Sequence, residues 1–242
     1  MYSRGFCTLS AVAMRKEATQ RSEMTSQLLF GDVVEIVGEE CEWLLVRSLY
    51  DGYEGWVNAK QLYVGDDMPE ADRVVRRETE VTVPSRYSLC GNDIRVHVPA
   101  GGSVPSAWML MAAADEESDG DAVDVALDFL GAPYLWGGRT AMGIDCSGLV
   151  QVVMKICGKR MPRDAWQQEQ CGRAVAFGEA CRGDLAFFSN SEGRVVHVGF
   201  VAGEGRIVHA SGMVRCDRLD EHGIYDETRG EHTHRLCSLR RL

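Results

Sequence analysis

The chain has 242 residues, 45% apolar and 26% charged, which fits a globular protein of one large domain or two to three small ones and excludes a disordered chain. With 26 basic against 36 acidic residues the net charge is −10, which argues against nucleic acid or an anionic membrane as partner. No run approaches the ~18 apolar residues of a membrane span, and Arg4, Arg15, Lys16 and Glu17 interrupt the apolar stretch a signal peptide needs. The expected location is the cytoplasm, with export after removal of a leader as the alternative. Nine cysteines, odd in number and irregularly spaced, are expected as thiols rather than as a disulfide framework.

Residues 1–64 read as short strands between tight turns. Val33–Val37 and Trp43–Arg47 are β-branched and aromatic runs. Gly31-Asp32, Gly38 and Asp51-Gly52 bound them as turns, and Tyr53–Val57 enters the next strand. Such spacing predicts a small barrel. Over residues 65–114 the signals weaken: Val81–Val83, Ile94–Val98 and Trp108–Met111 fit strands of a second, degenerate barrel. The acidic, small-residue stretch Ala112–Gly120 fits a linker.

From Asp121 the apolar period becomes helical. Ala122, Val125, Ala126, Phe129 and Leu130 share one face, with Ser118 or Asp119 as cap and Gly131-Ala132-Pro133 as stop. A second helix starts near Cys146 and carries Leu149, Val150, Val153, Ile156 and Cys157 as its stripe, ending at Gly158. Pro162 opens a third over residues 163–170. Strands follow at Asp184–Phe188, Val195–Ala202, Arg206–Ala210 and Arg235–Leu239. Helices first and strands after predict an α+β domain with an antiparallel sheet over residues 115–242.

Asp145-Cys146-Ser147-Gly148 sets a cysteine at a helix start, where unpaired amides and the helix dipole favour a thiolate and can receive an oxyanion. A buried, inert thiol is the plain alternative. His197 interrupts the apolar run Val195–Phe200, and His209 ends the run Ile207–Ala210. Twelve residues separate them, which suits neighbouring antiparallel strands that bring the rings together. A nucleophile, a base and a group that orients the base make a catalytic triad; two packed core histidines are the alternative.

These segments carry a resemblance. "YLWGGRTAMGIDCSGLV", "MPRDAWQQ", "GDLAFF", "HVGFV" and "IVHASG", in this order, resemble the motifs of the NlpC/P60 family of papain-like cysteine peptidases over residues 121–242. The segment from Leu28 to Leu62, with its "DGYEGWV" turn, resembles bacterial SH3-like (SH3b) domains. The resemblance implies a papain-like α+β catalytic domain preceded by one or two small SH3-like barrels. It implies Cys146 as nucleophile, His197 as base, His209 as the orienting group and Tyr134 as a neighbour of the nucleophile that assists the oxyanion. Within the family, the arrangement is similar to γ-D-glutamyl-L-diamino acid endopeptidases of the dipeptidyl-peptidase VI type, which take free peptides beginning with L-Ala. That likeness implies murein peptides as substrate, no cofactor, and Glu23, Tyr53, Asp145 and Ser147 as substrate-binding residues.

The alternatives are an endopeptidase on intact peptidoglycan, an amidase or acyltransferase with the same triad, and a non-catalytic murein-binding protein. His232, His234 and Cys237, with Cys216 or His222, carry zinc-ligand chemistry, but without a tight Cys-x-x-Cys pair the expected reading is an exposed polar strand edge and no metal. Oligomeric state is not legible.

Overall fold

Alternating apolar residues and tight turns build the first part of the chain. The computed structural model describes residues 3–108 and 121–242. These fall into two units: residues 3–108 with Trp136–Thr140, and residues 121–135 with 141–242.

In the first unit, β1 (Arg4–Phe6), β2 (Ala11–Arg15), β3 (Met24–Leu29), β4 (Val33–Glu40), β5 (Trp43–Ser48), β6 (Glu54–Asn58) and β7 (Tyr63–Val64) form one sheet in the order β3-β2-β6-β5-β4-β1-β7. It is an SH3-like barrel around Cys7, Val12, Met14, Leu28, Val34, Val46 and Val57. Each such buried apolar side chain contributes roughly 1.5–3 kcal/mol, enough for a small barrel to hold its register. The Asp51-Gly52 turn forms as expected, with Gly52 at φ +75° and the Asp51 carboxylate accepting the Tyr53 amide at 3.0 Å. Gly38 is not a turn. It lies inside β4 at a bulge against β5, and the chain reverses later, at Cys41, which takes a φ of +52°.

Four short strands follow: β8 (Arg73–Val74), β9 (Thr79–Val83), β10 (Ile94–Val98) and β11 (Ser103–Val104). They pair as two ribbons, β9 with β10 and β8 with β11. Val75, Val81, Val83, Tyr87, Val96 and Val98 form their core together with Phe30 from the barrel. Trp108, expected in a strand, instead closes a 3-10 turn from Ser106, with its ring against Phe6, Phe30 and Tyr87. The remainder of that expected strand, the linker at 112–120 and the caps Ser118 and Asp119 lie outside the described residues.

The short β12 (Arg139–Thr140) belongs to this unit. Buried Arg139 donates from its guanidinium to the Gln27 carbonyl at 2.6 Å and to Asp32 at 3.2 Å. Gly137 has φ +78°, and a Cβ there would meet the Met24 carbonyl oxygen at 2.5 Å. Both facts require glycine at that position.

In the second unit, α1 (Ala122–Leu127) is capped by Asp121, whose carboxylate accepts the Val123 and Asp124 amides. The helix is shorter than its apolar pattern, with turns carrying the chain to Gly131 at φ +85°. After β13 (Gly143–Ile144) comes α2 (Cys146–Ile156), buried on every side from Cys146 to Lys155. It is a central helix, buried well beyond the apolar stripe read from the sequence. The expected third helix shrinks to one turn, α3 (Ala165–Gln168).

The sheet follows: β14 (Arg173–Ala174), β15 (Leu185–Ser189), β16 (Val195–Gly203), β17 (Arg206–Ser211), β18 (Met213–Asp220), β19 (Gly223–Asp226) and β20 (Glu231–Arg241), in the order β14-β20-β15-β16-β17-β18-β19. Helix α2 packs on β16 and β17. Ala186, Phe188, Val201, Ile207, Leu219, Ile224 and Leu239 form a buried cluster within the sheet.

Candidate active site

Helix α2 begins at Cys146, and Asp145 caps it by accepting the Gly148 amide at 2.7 Å. Two residues of the "MPRDAWQQ" segment hold this first turn in place. Arg163, 2% exposed, donates to both Asp145 oxygens at 3.0 and 2.5 Å and to the Ser147 hydroxyl at 2.8 Å. Gln168 donates to the Ser147 and Pro162 carbonyls, each at 2.9 Å. The cysteine is therefore fixed by a buried network and not only by its own helix.

The Cys146 side chain is nearly covered, at 6% exposure. Burial pushes its thiol up to about 12, and the Asp145 charge adds to the effect. Backbone hydrogen bonding at Val198, the Arg163 charge and backbone hydrogen bonding at Ser147 pull the other way without restoring an ordinary value. The helix start was expected to favour the thiolate; desolvation outweighs it.

That hydrogen bonding at Val198 sets the sulfur against β16, next to His197. His197 Nε2 and His209 Nδ1 are 2.8 Å apart across β16 and β17. The pairing depends on Gly199, which lies opposite His209: a Cβ there would approach His209 Cβ and the Val208 carbonyl oxygen at 2.8 Å each. His209 Nε2 continues to Asp217 Oδ2 at 3.0 Å. Arg215 holds that carboxylate through Nε at 2.8 Å and a second guanidinium nitrogen at 2.9 Å. Burial drives the His197 pKa well below its ordinary value, and His209 and His234 add to the shift. Burial alone would raise the Asp217 carboxyl, but hydrogen bonds from His209 and Arg215, with the Arg215 charge, hold it below the usual range.

Tyr134 is half-buried on a bridge to Ile144, and its amide donates to the Gly212 carbonyl at 2.9 Å. Burial, then electrostatic interaction with Cys146 and with the Asp145 carboxylate, push its phenol up to about 12, so it stays a hydrogen-bond donor.

The second unit thus brings together Cys146, His197, His209, Tyr134, Asp145 and Ser147. Asp145 and Ser147, expected at the substrate, turn their side chains to Arg163. Glu23 and Tyr53 belong to the first unit. Glu23 accepts the Trp136 indole N–H at 2.8 Å, and Tyr53 packs against the barrel core. Sequence reasoning missed Asp217, Arg215 and Arg163. It treated His234 as a strand-edge residue, whereas its ring lies on that of His197, with centroids 4.2 Å apart. His232 pairs instead with Asp220 at 2.9 Å. Among the described residues no group of three or more His, Cys, Asp or Glu side chains is arranged to hold a metal. Cys41, Cys90, Cys146, Cys171, Cys181, Cys216 and Cys237 are free thiols.

Comparison with known proteins supplies the family. Residues 131–233 match the NlpC/P60 family, and residues 14–62 match the bacterial dipeptidyl-peptidase SH3 domain. The chain is 28% identical to a γ-D-glutamyl-L-lysine dipeptidyl-peptidase of Bacillus subtilis, over 76% of this chain and 71% of the relative. It is 38% identical to a probable endopeptidase of Corynebacterium glutamicum, over 59% of this chain and 70% of that one. An NlpC/P60 family protein from Bacillus cereus has the same fold, with a TM-score of 0.73 at 20% identity over 99% of both chains. The chain belongs to the NlpC/P60 family of cysteine peptidases, with a bacterial SH3 domain ahead of its catalytic domain.

Proposed function

We propose that the protein hydrolyses murein-derived peptides at the bond between D-γ-glutamate and the following diamino acid, using Cys146 as nucleophile, His197 as base and His209 to orient it. The observation that carries this reading is the hydrogen-bonded pair His197–His209 next to a cysteine at a helix start. Cys146 and His197 are both neutral at rest, so the thiol proton passes to His197 as sulfur attacks the amide carbon. The resulting oxyanion would draw on the Cys146 backbone amide at the α2 start and on the Tyr134 phenol as donors. His197 returns the proton to the leaving amine, and a thioester remains. Water, deprotonated by His197, then releases the acid and the thiol.

The dipeptidyl-peptidase names of the relatives favour a substrate with a free amino terminus, L-Ala-γ-D-Glu-diamino acid, as in the recycling of released cell-wall peptides in the cytoplasm. Glu23 and Tyr53 lie in the stretch that matches the dipeptidyl-peptidase SH3 domain, and we assign them to recognition of that terminus. Arg163 already answers the Asp145 charge, so we assign the substrate ammonium to Glu23, whose own ion pair with Lys16 is a longer, exposed contact at 3.9 Å; Asp145 and Ser147 support the nucleophile turn.

The test is mass spectrometry of products from free and N-acetylated L-Ala-γ-D-Glu-L-Lys and its diaminopimelate counterpart. The free peptides should turn over roughly a thousandfold faster, because a missing charge leaves its partner uncompensated, and Glu23→Gln should erase most of that preference. The endopeptidase name of the Corynebacterium relative favours a second reading, cleavage within intact peptidoglycan. Equal turnover of both peptides would select it.

A further inference from the structure

We propose that Asp217 is a positioning residue that sets the tautomers of both histidines in series and so keeps His197 competent as a base. The proposal deepens the function above and rests on the roles assigned there to Cys146 and His197.

The argument starts from the far end of the chain of contacts. A carboxylate only accepts hydrogen bonds, so the 3.0 Å contact to Asp217 requires the hydrogen on His209 Nε2. In a neutral ring that leaves His209 Nδ1 as a bare acceptor. The 2.8 Å contact then requires His197 to donate from Nε2, which leaves His197 Nδ1 as its bare nitrogen. Only a bare nitrogen can take the thiol proton, so the hydrogen at His209 decides whether His197 can act.

Arg215 makes this arrangement definite. Its two contacts at 2.8 and 2.9 Å fix the carboxylate plane, and its charge balances that of Asp217. His209, only 1% exposed, thus faces a carboxylate whose charge is already answered by Arg215. When His197 takes the proton from Cys146, the new charge is met by the lone pair of His209 Nδ1, with the Asp217 carboxylate behind that ring.

An amide at 217 would lose this direction, because it can turn its NH2 toward His209. The hydrogen then sits on His209 Nδ1, His197 must accept at Nε2, and its own hydrogen moves to Nδ1. The ring would face the thiol proton with no lone pair.

The experiment combines two-bond hydrogen–nitrogen spectra of the full chain carrying nitrogen-15 histidine with steady-state kinetics on free L-Ala-γ-D-Glu-L-Lys. In the unmodified protein both rings should carry hydrogen on Nε2. Asp217→Asn should populate the Nδ1–H form of His209 and lower kcat by roughly a hundred- to ten-thousandfold, the range known for a wrong tautomer in a triad. KM should stay within about threefold, since the lost interaction is made in the transition state. Asp217→Glu should restore the Nε2–H tautomer and about a tenth or more of the lost kcat. An Nδ1–H tautomer or an imidazolium at His209 in the unmodified protein would overturn the proposal, and that reading needs no variant to fold. So would Asp217→Asn with kcat within about threefold of the original. Failure of the underlying function has a different signature: Cys146→Ala would keep its turnover while the tautomers stay as described.

Discussion

His234 lies on His197, ring centroids 4.2 Å apart and planes 31° from parallel. The residue reaches this position from β20, with its Nδ1 2.9 Å from the Thr233 hydroxyl. Burial brings the His234 pKa down to about 4, with electrostatic interaction with His209 adding to the shift, and burial drives His197 well below its ordinary value. Both rings are thus neutral in the folded protein and take up protons near pH 6.5 when it unfolds. A depressed folded pKa means stability that is present above the unfolded value and lost as pH falls below it. Between about pH 7 and pH 5, unfolding free energy should decline by up to about 1.4 kcal/mol per pH unit for each ring. Urea unfolding across that range checks this, and His234→Gln should remove one ring's share of the slope. Equal slopes in the two proteins would separate His234 from the effect.

Arg163 and Asp145 make a prediction about stability that surface ion pairs do not. Their side chains are 2% and 6% exposed, and three charge-assisted hydrogen bonds join Arg163 to Asp145 and Ser147. Removing one partner leaves the other charge buried. Arg163→Met should therefore cost about 3–5 kcal/mol in denaturant unfolding. The double variant Arg163→Met with Asp145→Asn, which keeps a capping oxygen, should recover a large part of that loss. A double-mutant cycle that summed without coupling would show that the pair does not act as one unit.

His197 and His209 should separate in kinetics. In the roles proposed for them, His197 moves protons in both half-reactions, whereas His209 orients it and supports the imidazolium. His197→Ala should reduce kcat by at least about tenfold more than His209→Ala, with KM little changed in either. Comparable losses would mean that the two rings act as one relay.

Much of this architecture is legible in residue order. The Asp51-Gly52 hairpin, the helix opening at Cys146 and the paired histidine strands follow from turn chemistry and apolar period. The elements that escaped are those without an apolar signature. In β18, Arg215, Asp217 and Arg218 interrupt the pattern, and pairing with β17 and β19 makes the strand. Asp217 stayed hidden for the same reason: its place beside His209 is set by register between strands, and the seven intervening residues do not encode it. Arg163 was visible only as part of "MPRDAWQQ", since a charged side chain after a helix-opening proline reads as surface. The thiol misled in the opposite sense. A helix start is a local feature, but the burial that opposes it comes from packing against β16, which local sequence does not report.

That conflict at Cys146 yields the sharpest test. With the thiol pushed up to about 12 and His197 driven low, the resting pair is a neutral thiol beside a neutral imidazole. The alkylating species is the thiolate, whose fraction grows tenfold with each pH unit below the thiol's own value. Inactivation by iodoacetamide should therefore climb about tenfold per unit between roughly pH 6 and 9, with no plateau near neutrality. Cys90 is exposed, and hydrogen bonding from Ser88 and at Asn92 lowers its thiol, so peptide mapping should find it labelled before Cys146. Labelling at Cys90 should leave turnover intact, and labelling at Cys146 should remove it, as should Cys146→Ala. A flat inactivation profile from about pH 5 to 8 would instead mean that the thiol has already passed its proton to His197 at rest. In that case the helix start and Arg163 would outweigh burial, and catalysis would begin from an ion pair rather than from a proton transfer made during attack.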